Sequence, residues 1–163
     1  LLSRIEAGAA PSLVAVDLSA LARQAAADIA PLAVRKQQHL TVDAQHGHIV
    51  NADAPLLSAL IRNLIDNAIR YSPPGARVSV AIAPHERGIE LSVEDSGPGL
   101  EKAEIQRLGE RFFLVLCAEG SGSGMGWSIV KQIARAHRAI VEVARSPLGG
   151  LRVSVRFPLP VGN

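Results

Sequence analysis

The stretch that decides the fold is 63–72, which reads NLIDNAIRYS. It lies within Asp53–Tyr71, where apolar residues recur every three to four positions, and this spacing predicts an amphipathic helix with Asp53 as its N-cap. At about 100° per residue, Asn63, Asn67 and Arg70 fall within about 60° of one another, at the border of the apolar arc. Because asparagine is a poor interior helix former, two of them here indicate a further role.

Two interpretations of these amides remain open from the residues alone. The amides could cap neighbouring loops. Alternatively, an amide oxygen could bind a hard cation while Arg70 lies near a phosphate group.

Helices and strands are predicted on both sides of this segment. Upstream, Asp17 or Ser19 caps a helix to about Gln37, and 40–42 and 49–50 are short strands with a turn at His46-Gly47 between them. Downstream, the predicted elements are a hairpin of 78–82 with 89–93, a helix over 125–137, and a hairpin of 140–144 with 151–157. This order predicts an α+β fold, a two-layer α/β sandwich whose mixed, mostly antiparallel sheet is covered on one face by helices.

Composition excludes several classes of protein. The 163 residues are 48% hydrophobic and 20% charged, which excludes overall disorder, and no apolar run reaches the roughly 18 residues of a membrane span. The net charge is only +2, and the chain has one Trp, one Tyr and three Phe. A nucleic-acid partner is therefore not expected.

A second motif is Asp95-Ser96-Gly97-Pro98-Gly99, which follows the strand 89–93. It could be a simple strand-exit turn, in which glycine allows unusual backbone angles. In the functional interpretation, the Asp95 carboxylate accepts a hydrogen bond from an exocyclic amine. Adenine carries that amine, whereas guanine presents a carbonyl there, which would repel the carboxylate.

A third motif, Gly120–Gly126, alternates glycine with other residues and leads directly into the predicted helix 125–137. Such a run frees N–H groups to bind an anion, although a flexible linker has a similar composition. It lacks the Gly-Lys-Ser/Thr of a Walker motif, and no early βαβ unit supports a Rossmann site.

Together, these motifs resemble the conserved boxes of the sensor histidine kinases. The N box corresponds to 63–72, the G1 box to 95–99, the F box to 111–113 and the G2 box to 122–126. The resemblance covers about residues 11–158, and the sequence around Glu110 and Trp127 is similar to the QseC-like subgroup. By this resemblance, residues 1–10 are the remnant of a dimerisation helix and linker. Residues 11–160 then form the catalytic domain, with a lid at about 100–124.

The resemblance implies the Bergerat, or GHKL, ATP-binding fold and a protein-histidine kinase that uses Mg²⁺ and ATP. Asn67 would hold Mg²⁺ with help from Asn63, and Asn67 and Arg70 would be the catalytic residues. The implied nucleotide-binding residues are Asn63, Asn67, Arg70, Tyr71, Asp95, Gly97, Gly99, Gly122, Ser123, Gly124, Met125 and Gly126. The γ-phosphate would pass to a histidine on a separate dimerisation domain, and then to the receiver domain of a response regulator.

The resemblance also implies a cellular setting. The domain would be cytoplasmic, within a homodimeric parent in the bacterial inner membrane, and this chain alone would be a monomer. None of the five histidines has the expected phosphoacceptor context, and His46 and His48 are either a weak metal pair or solvated turn residues. Three positions depart from the family pattern: Leu114, where the F box continues after 111–113, Met125, where Leu is usual in the G2 box, and Arg138-Ala139, where Gly-Gly is common.

Two alternative functions share this fold. One is a serine kinase of the anti-sigma type, against which the helix remnant before Gly8 argues. The other is a nucleotide-gated GHKL binding module or an ATPase without phosphotransfer. The latter is weakened because Ala59, one turn before Asn63, provides no acidic base to activate water.

Overall fold

The architecture follows from a computed structural model that describes residues 11–44, 47–86, 88–97 and 124–159. In those ranges the elements are β1 (Val14–Asp17), α1 (Leu18–Arg35), β2 (His39–Ala44), β3 (Ile49–Ala52), α2 (Ala54–Tyr71), β4 (Arg77–His85), β5 (Gly88–Asp95), α3 (Gly124–Ala136), β6 (Ile140–Arg145) and β7 (Leu151–Pro158). Among the described helices, none combines the length and the hydropathy that crossing a bilayer requires.

The main sheet has five strands in the order β2-β4-β5-β7-β6. Only β2 and β4 run parallel, and the other neighbouring pairs are antiparallel. Both predicted hairpins are present, as β4–β5 and β6–β7, so the predicted α+β fold with a mixed, mostly antiparallel sheet is confirmed.

The strands on either side of His46-Gly47 differ from the expectation of a simple turn between neighbours. β2 joins the main sheet beside β4, whereas β3 pairs with β1 in a separate two-stranded sheet. β1 was not predicted from the sequence. A backbone hydrogen bond of 2.8 Å, from the N–H of Leu18 to the carbonyl of His48, continues the β1–β3 pairing to the start of α1.

Two aspartates begin the long helices. Asp17, rather than Ser19, is the N-cap of α1, and its carboxylate accepts from the N–H groups of Ser19 and Ala20. The helix continues through Pro31 without a break. Asp53 caps α2 as predicted, and that helix ends at Tyr71.

The core lies between α1, α2, α3 and one face of the main sheet. The predicted apolar arc of α2 is buried except for Ala68, which is half-buried, and Leu56 is buried as well. Fully buried side chains include Leu18, Leu57, Leu60, Ile61, Ile65, Ile69, Leu91, Ile133 and Phe157. On α3, Val130 and Ile133 are buried and Ile129 is partly buried.

The alternation of side chains along β5 determines the face of the sheet on which Asp95 lies. Ile89, Leu91 and Val93 are buried on the helix-covered face, and the period of two places Asp95 on that same face. On the opposite face, Glu90 forms ion pairs with Arg152 and Arg156 of β7. The carboxylate of Asp95 therefore lies on the face of the sheet that packs against the helices.

The C-terminal end of α3 is tied to the start of α2 by His137, which is 4% exposed. Its Nδ1 donates to the carbonyl of Ile133 at 2.8 Å, and its Nε2 accepts from the N–H of Asp53 at 3.0 Å. The Asp53 carboxylate in turn accepts from the N–H groups of Ser12 and Leu56. One neutral imidazole tautomer satisfies both of these bonds.

Candidate functional site

Asp95 is the most deeply placed acidic group of the candidate site, with only 8% of the residue exposed. Its Oδ1 accepts hydrogen bonds from the N–H of Gly97 at 2.9 Å and from the N–H of Leu151 at 3.4 Å. Among the described residues, both hydrogen bonds in full geometry go to Oδ1, and none goes to Oδ2. Within that part of the chain, Oδ1 holds the side chain in place and Oδ2 can accept from a ligand.

The electrostatic setting of Asp95 combines opposing effects. Burial raises the pKa of its carboxyl above the ordinary value of 3.8, and this exceeds the lowering by the N–H groups of Gly97 and Leu151. The nearby Ser72 hydroxyl also lowers the pKa, although its oxygen has no partner in full hydrogen-bond geometry among the described residues. Repulsion from Glu94 raises it. A ligand that donates a hydrogen bond would compensate for the desolvation of the charged form.

The C-terminal end of α2 forms the neighbouring part of the site, and two side chains hold it in place. Lys36 Nζ donates to the carbonyls of Ile69 and Ser72 at 2.9 and 2.7 Å, and Gln38 Nε2 donates to the same two carbonyls at 3.0 Å each. These bonds satisfy carbonyls that a helix end leaves without partners. They also fix Ser72, whose buried hydroxyl lies beside Gly97.

The three polar residues of the N-box helix lie on one side of α2. Asn63 Nδ2 donates to the carbonyl of Ala59 at 2.7 Å, which leaves the amide oxygen as its ligating atom. Asn67 is half-buried. Arg70 is exposed and forms an ion pair of 2.8 Å with Asp66, so its contact with a phosphate stays a prediction.

Distances along the helix suit an extended ligand. With a rise of about 1.5 Å per residue, Asn67 lies about 7.5 Å and Asn63 about 13.5 Å along the axis from Ser72. A base held near Asp95 would therefore leave its phosphates beside the two amides. Tyr71, between these positions, packs against the core.

Several predicted site residues fall outside the described ranges. Gly99, Gly122 and Ser123 do so, and so does the predicted lid except for its last residue. Leu114 of the F box and His46 of the suggested metal pair also lie outside those ranges. Gly124, Met125 and Gly126 begin α3, whose first turn carries no acidic side chain. The first N–H groups of a helix have no partners within the helix, and such groups favour an anion.

The described residues contain no group of three or more His, Cys, Asp or Glu side chains arranged to hold a metal ion. The Nδ1 of His48 lies 3.0 Å from the hydroxyl of Ser19.

Sequence reasoning missed three contributors to the site: Gly150, Lys36 and Gln38. A Cβ built on Gly150 would collide with Oδ1 and the carbonyl oxygen of Asp95. The pair Gly149-Gly150 is a local signal, but between the predicted strands 140–144 and 151–157 it indicates only a hairpin turn. Lys36 and Gln38 carry no local signal, because their partners belong to another helix.

Comparison with known proteins identifies the family. The profile of the family described as "Histidine kinase-, DNA gyrase B-, and HSP90-like ATPase" matches residues 52–161. The "Sensor-like histidine kinase SenX3" of Mycolicibacterium smegmatis is 35% identical over 161 residues, which are 96% of this chain and 42% of that protein. The "Sensor protein QseC" of Salmonella typhi is 36% identical over 143 residues, which are 87% of this chain and 31% of that protein.

A solved structure extends this similarity to three dimensions. The "ATP binding domain of PrrB from Mycobacterium Tuberculosis" superposes with a TM-score of 0.72 at 27% identity, covering 91% of this chain and 98% of that one. The chain spans less than half the length of the two curated relatives named above. The chain belongs to the histidine kinase-, DNA gyrase B- and HSP90-like ATPase family, within which it is an ATP-binding catalytic domain of the sensor histidine kinase type.

Proposed function

We propose that this domain binds Mg-ATP and transfers the γ-phosphate to a histidine on a separate dimerisation domain. The observation that carries the proposal is the half-used carboxylate of Asp95, buried beside the end of the helix that presents Asn67 and Asn63. The free oxygen of Asp95 accepts from the exocyclic amine of adenine. The base is thereby placed at one end of α2, with its phosphates along the helix.

The residues of α2 fit a hard cation that is shared with the ligand. Asn63 retains its amide oxygen, because its nitrogen is bonded within the helix, and Asn67 lies one turn further along the same side. Mg²⁺ favours a few protein oxygens together with phosphate and water. When bound, it supplies neutralisation of the charge on the transferred phosphoryl group.

The other predicted residues have supporting roles in this proposal. Arg70 leaves Asp66 to contact phosphate, and Tyr71 packs beside the nucleotide. Gly97 and Gly99 shape the turn under the base. The phosphates are enclosed by Gly122, Ser123, Gly124, Met125 and Gly126 in the lid at about 100–124.

The phosphoacceptor is proposed to lie outside this chain. Both ring nitrogens of the buried His137 are engaged, and His48 contacts Ser19, so neither is suited to attack a phosphoryl group. The partners are the domain's own dimerisation domain and then a response-regulator receiver domain. The parent is a homodimer in the bacterial inner membrane, with this domain on the cytoplasmic side.

Transfer in trans tests the proposal. The 163-residue chain is incubated with labelled Mg-ATP, alone and with a separately produced dimerisation domain, and acid-labile phosphate is measured on each. We expect label on the dimerisation domain only. Asn67→Ala should abolish transfer, whereas the matched control Asn51→Ala, at an exposed site on β3, should leave it unchanged.

Two results would contradict the proposal. Label on the wild-type chain alone would place the acceptor inside this sequence. Hydrolysis of ATP without label on the dimerisation domain would favour the alternative, a nucleotide-gated module or ATPase without phosphotransfer.

A further inference from the structure

We propose that Gly150, in the β6–β7 turn, is a positioning residue that determines which carboxylate oxygen of Asp95 faces the base. The inference rests on the proposed function, because it concerns how that site selects adenine. It adds to the site a residue from a different hairpin, separated from the G1-box motif by α3 and β6.

The space around Gly150 is filled by Asp95. A Cβ at position 150 would overlap both Oδ1 and the carbonyl oxygen of Asp95, and would lie 2.8 Å from the backbone nitrogen of Gly97. Real Cβ atoms essentially never approach other heavy atoms so closely. Since Gly150 is not among the residues with positive φ, contact rather than backbone conformation requires glycine at this position.

The turn is also fastened to the end of β5 by hydrogen bonds. The N–H of Gly150 donates to the carbonyl of Asp95 at 3.0 Å. The hydroxyl of Ser146 donates to Glu94 at 2.7 Å, and the N–H of Ser146 donates to the carbonyl of Gly150 at 2.7 Å. These bonds hold the N–H of Leu151 within reach of Oδ1 of Asp95.

In this arrangement, only one oxygen of the Asp95 carboxylate, Oδ2, faces the ligand. With Oδ1 held by the N–H groups of Gly97 and Leu151, rotation of the side chain would break two hydrogen bonds. Oδ2 is thereby preorganised for an amine on the ligand, and such preorganisation supports selectivity. A small side chain at position 150 would displace the Asp95 carboxylate, so the domain would lose its selectivity for adenine while it still folds.

The test compares ADP with purine riboside diphosphate, which lacks the exocyclic amine. The ratio of their dissociation constants, measured by calorimetry on the 163-residue chain, reports the bond to Asp95. Wild type should prefer ADP by about 10- to 150-fold, the equivalent of one hydrogen bond to a charged group. Gly150→Ala should reduce this ratio to about threefold or less. Gly149→Ala is the matched control, since its φ of +109° strains the same turn while its Cβ meets nothing within 4 Å.

The other outcomes distinguish a failure of the proposed function from a failure of this inference. If Asp95→Ala keeps the wild-type ratio, the base site itself is wrong and the proposed function fails. If Asp95→Ala loses the ratio but folded Gly150→Ala keeps it, this inference is overturned. Should Gly150→Ala not fold, Ser146→Ala decides: it should lower the ratio at least about threefold, while Ser154→Ala, elsewhere in the same hairpin, leaves it unchanged. An unchanged ratio in Ser146→Ala also overturns the inference.

Discussion

Replacing Asp95 by asparagine changes one charge and one atom at the centre of the site. Because two N–H groups hold Oδ1, the amide oxygen of asparagine will keep that position and the new NH₂ group will replace Oδ2. A donor then faces the adenine amine, which is itself a donor. Guanine, by contrast, presents a carbonyl at this point and would accept from the amide.

The size of the effect follows from the loss of one hydrogen bond to a charged group. Such a bond contributes about 1.5–3 kcal/mol, so ADP affinity should fall by about 10- to 150-fold. The preference for ADP over GDP should shrink by at least the same factor. The measurement is isothermal titration of both nucleotides into wild type and Asp95→Asn. Equal ADP affinity in the two proteins, or an unchanged preference over GDP, would refute the assignment of Asp95 to the base.

Asp95→Asn should also change how the stability of the nucleotide-free domain depends on pH. Burial raises the folded-state pKa of Asp95, so the protonated form favours folding. This contribution is complete below about pH 3.8 and is lost as the pH rises through the raised folded-state pKa. The free energy of unfolding of Asp95→Asn, relative to wild type, should therefore increase from pH 4 to pH 7 in urea titrations. A difference that is flat or falls with pH would contradict the direction of the pKa shift.

Urea denaturation followed by circular dichroism tests three further predictions. Asp53→Ala should lower the free energy of unfolding by about 2–3 kcal/mol and Asp17→Ala by about 1 kcal/mol, since only the first cap is buried; equal losses would contradict this. Arg138→Gly should raise the free energy of unfolding by about 0.5 kcal/mol. The φ of +56° strains arginine in the folded state, and relief of this strain outweighs the entropy that glycine adds to the unfolded chain; a lower free energy of unfolding would show that the strain is negligible. Ile65→Ala should cost about 2–5 kcal/mol, whereas Val34→Ala, at a residue 71% exposed, should change stability by less than about 0.5 kcal/mol; similar costs would mean that α2 is not central to the core.

Local signals explain which elements were predictable. The bounds of α2 could be predicted because its cap, Asp53, its apolar period and the Ser-Pro-Pro-Gly that follows are all contiguous. β1 escaped prediction because its four residues form a strand only by pairing with β3, on the far side of α1. The partner of β2 was equally hidden, since β4 lies beyond α2.

The candidate site likewise contains residues that could be predicted from local sequence and residues that could not. The motif after β5 was enough to select Asp95 as a candidate, whereas its face of the sheet came from the structure. Gly97, which holds Oδ1 of Asp95, belongs to the same motif, but the contact with Gly150 was not predictable because it arises only from the order of strands in the sheet. The same holds for Lys36 and Gln38, whose acceptors are carbonyls that any sequence could provide. The side chains of a motif can be identified from the sequence, whereas the backbone contacts that hold them in place depend on the topology of the fold.

The bond between His137 and the N–H of Asp53 has a mechanical consequence for α3. It pins the C-terminal end of this helix to the first turn of α2, so any tilt of α3 pivots at that end. The 13 residues of the helix form a lever about 20 Å long. A tilt of only about 10° would carry the Gly124 end through about 3.4 Å, slightly more than the length of a hydrogen bond. If the proposed function holds, with the Gly124 end facing the phosphates, a small rotation about this imidazole would be enough to bring that end to a phosphate or away from it.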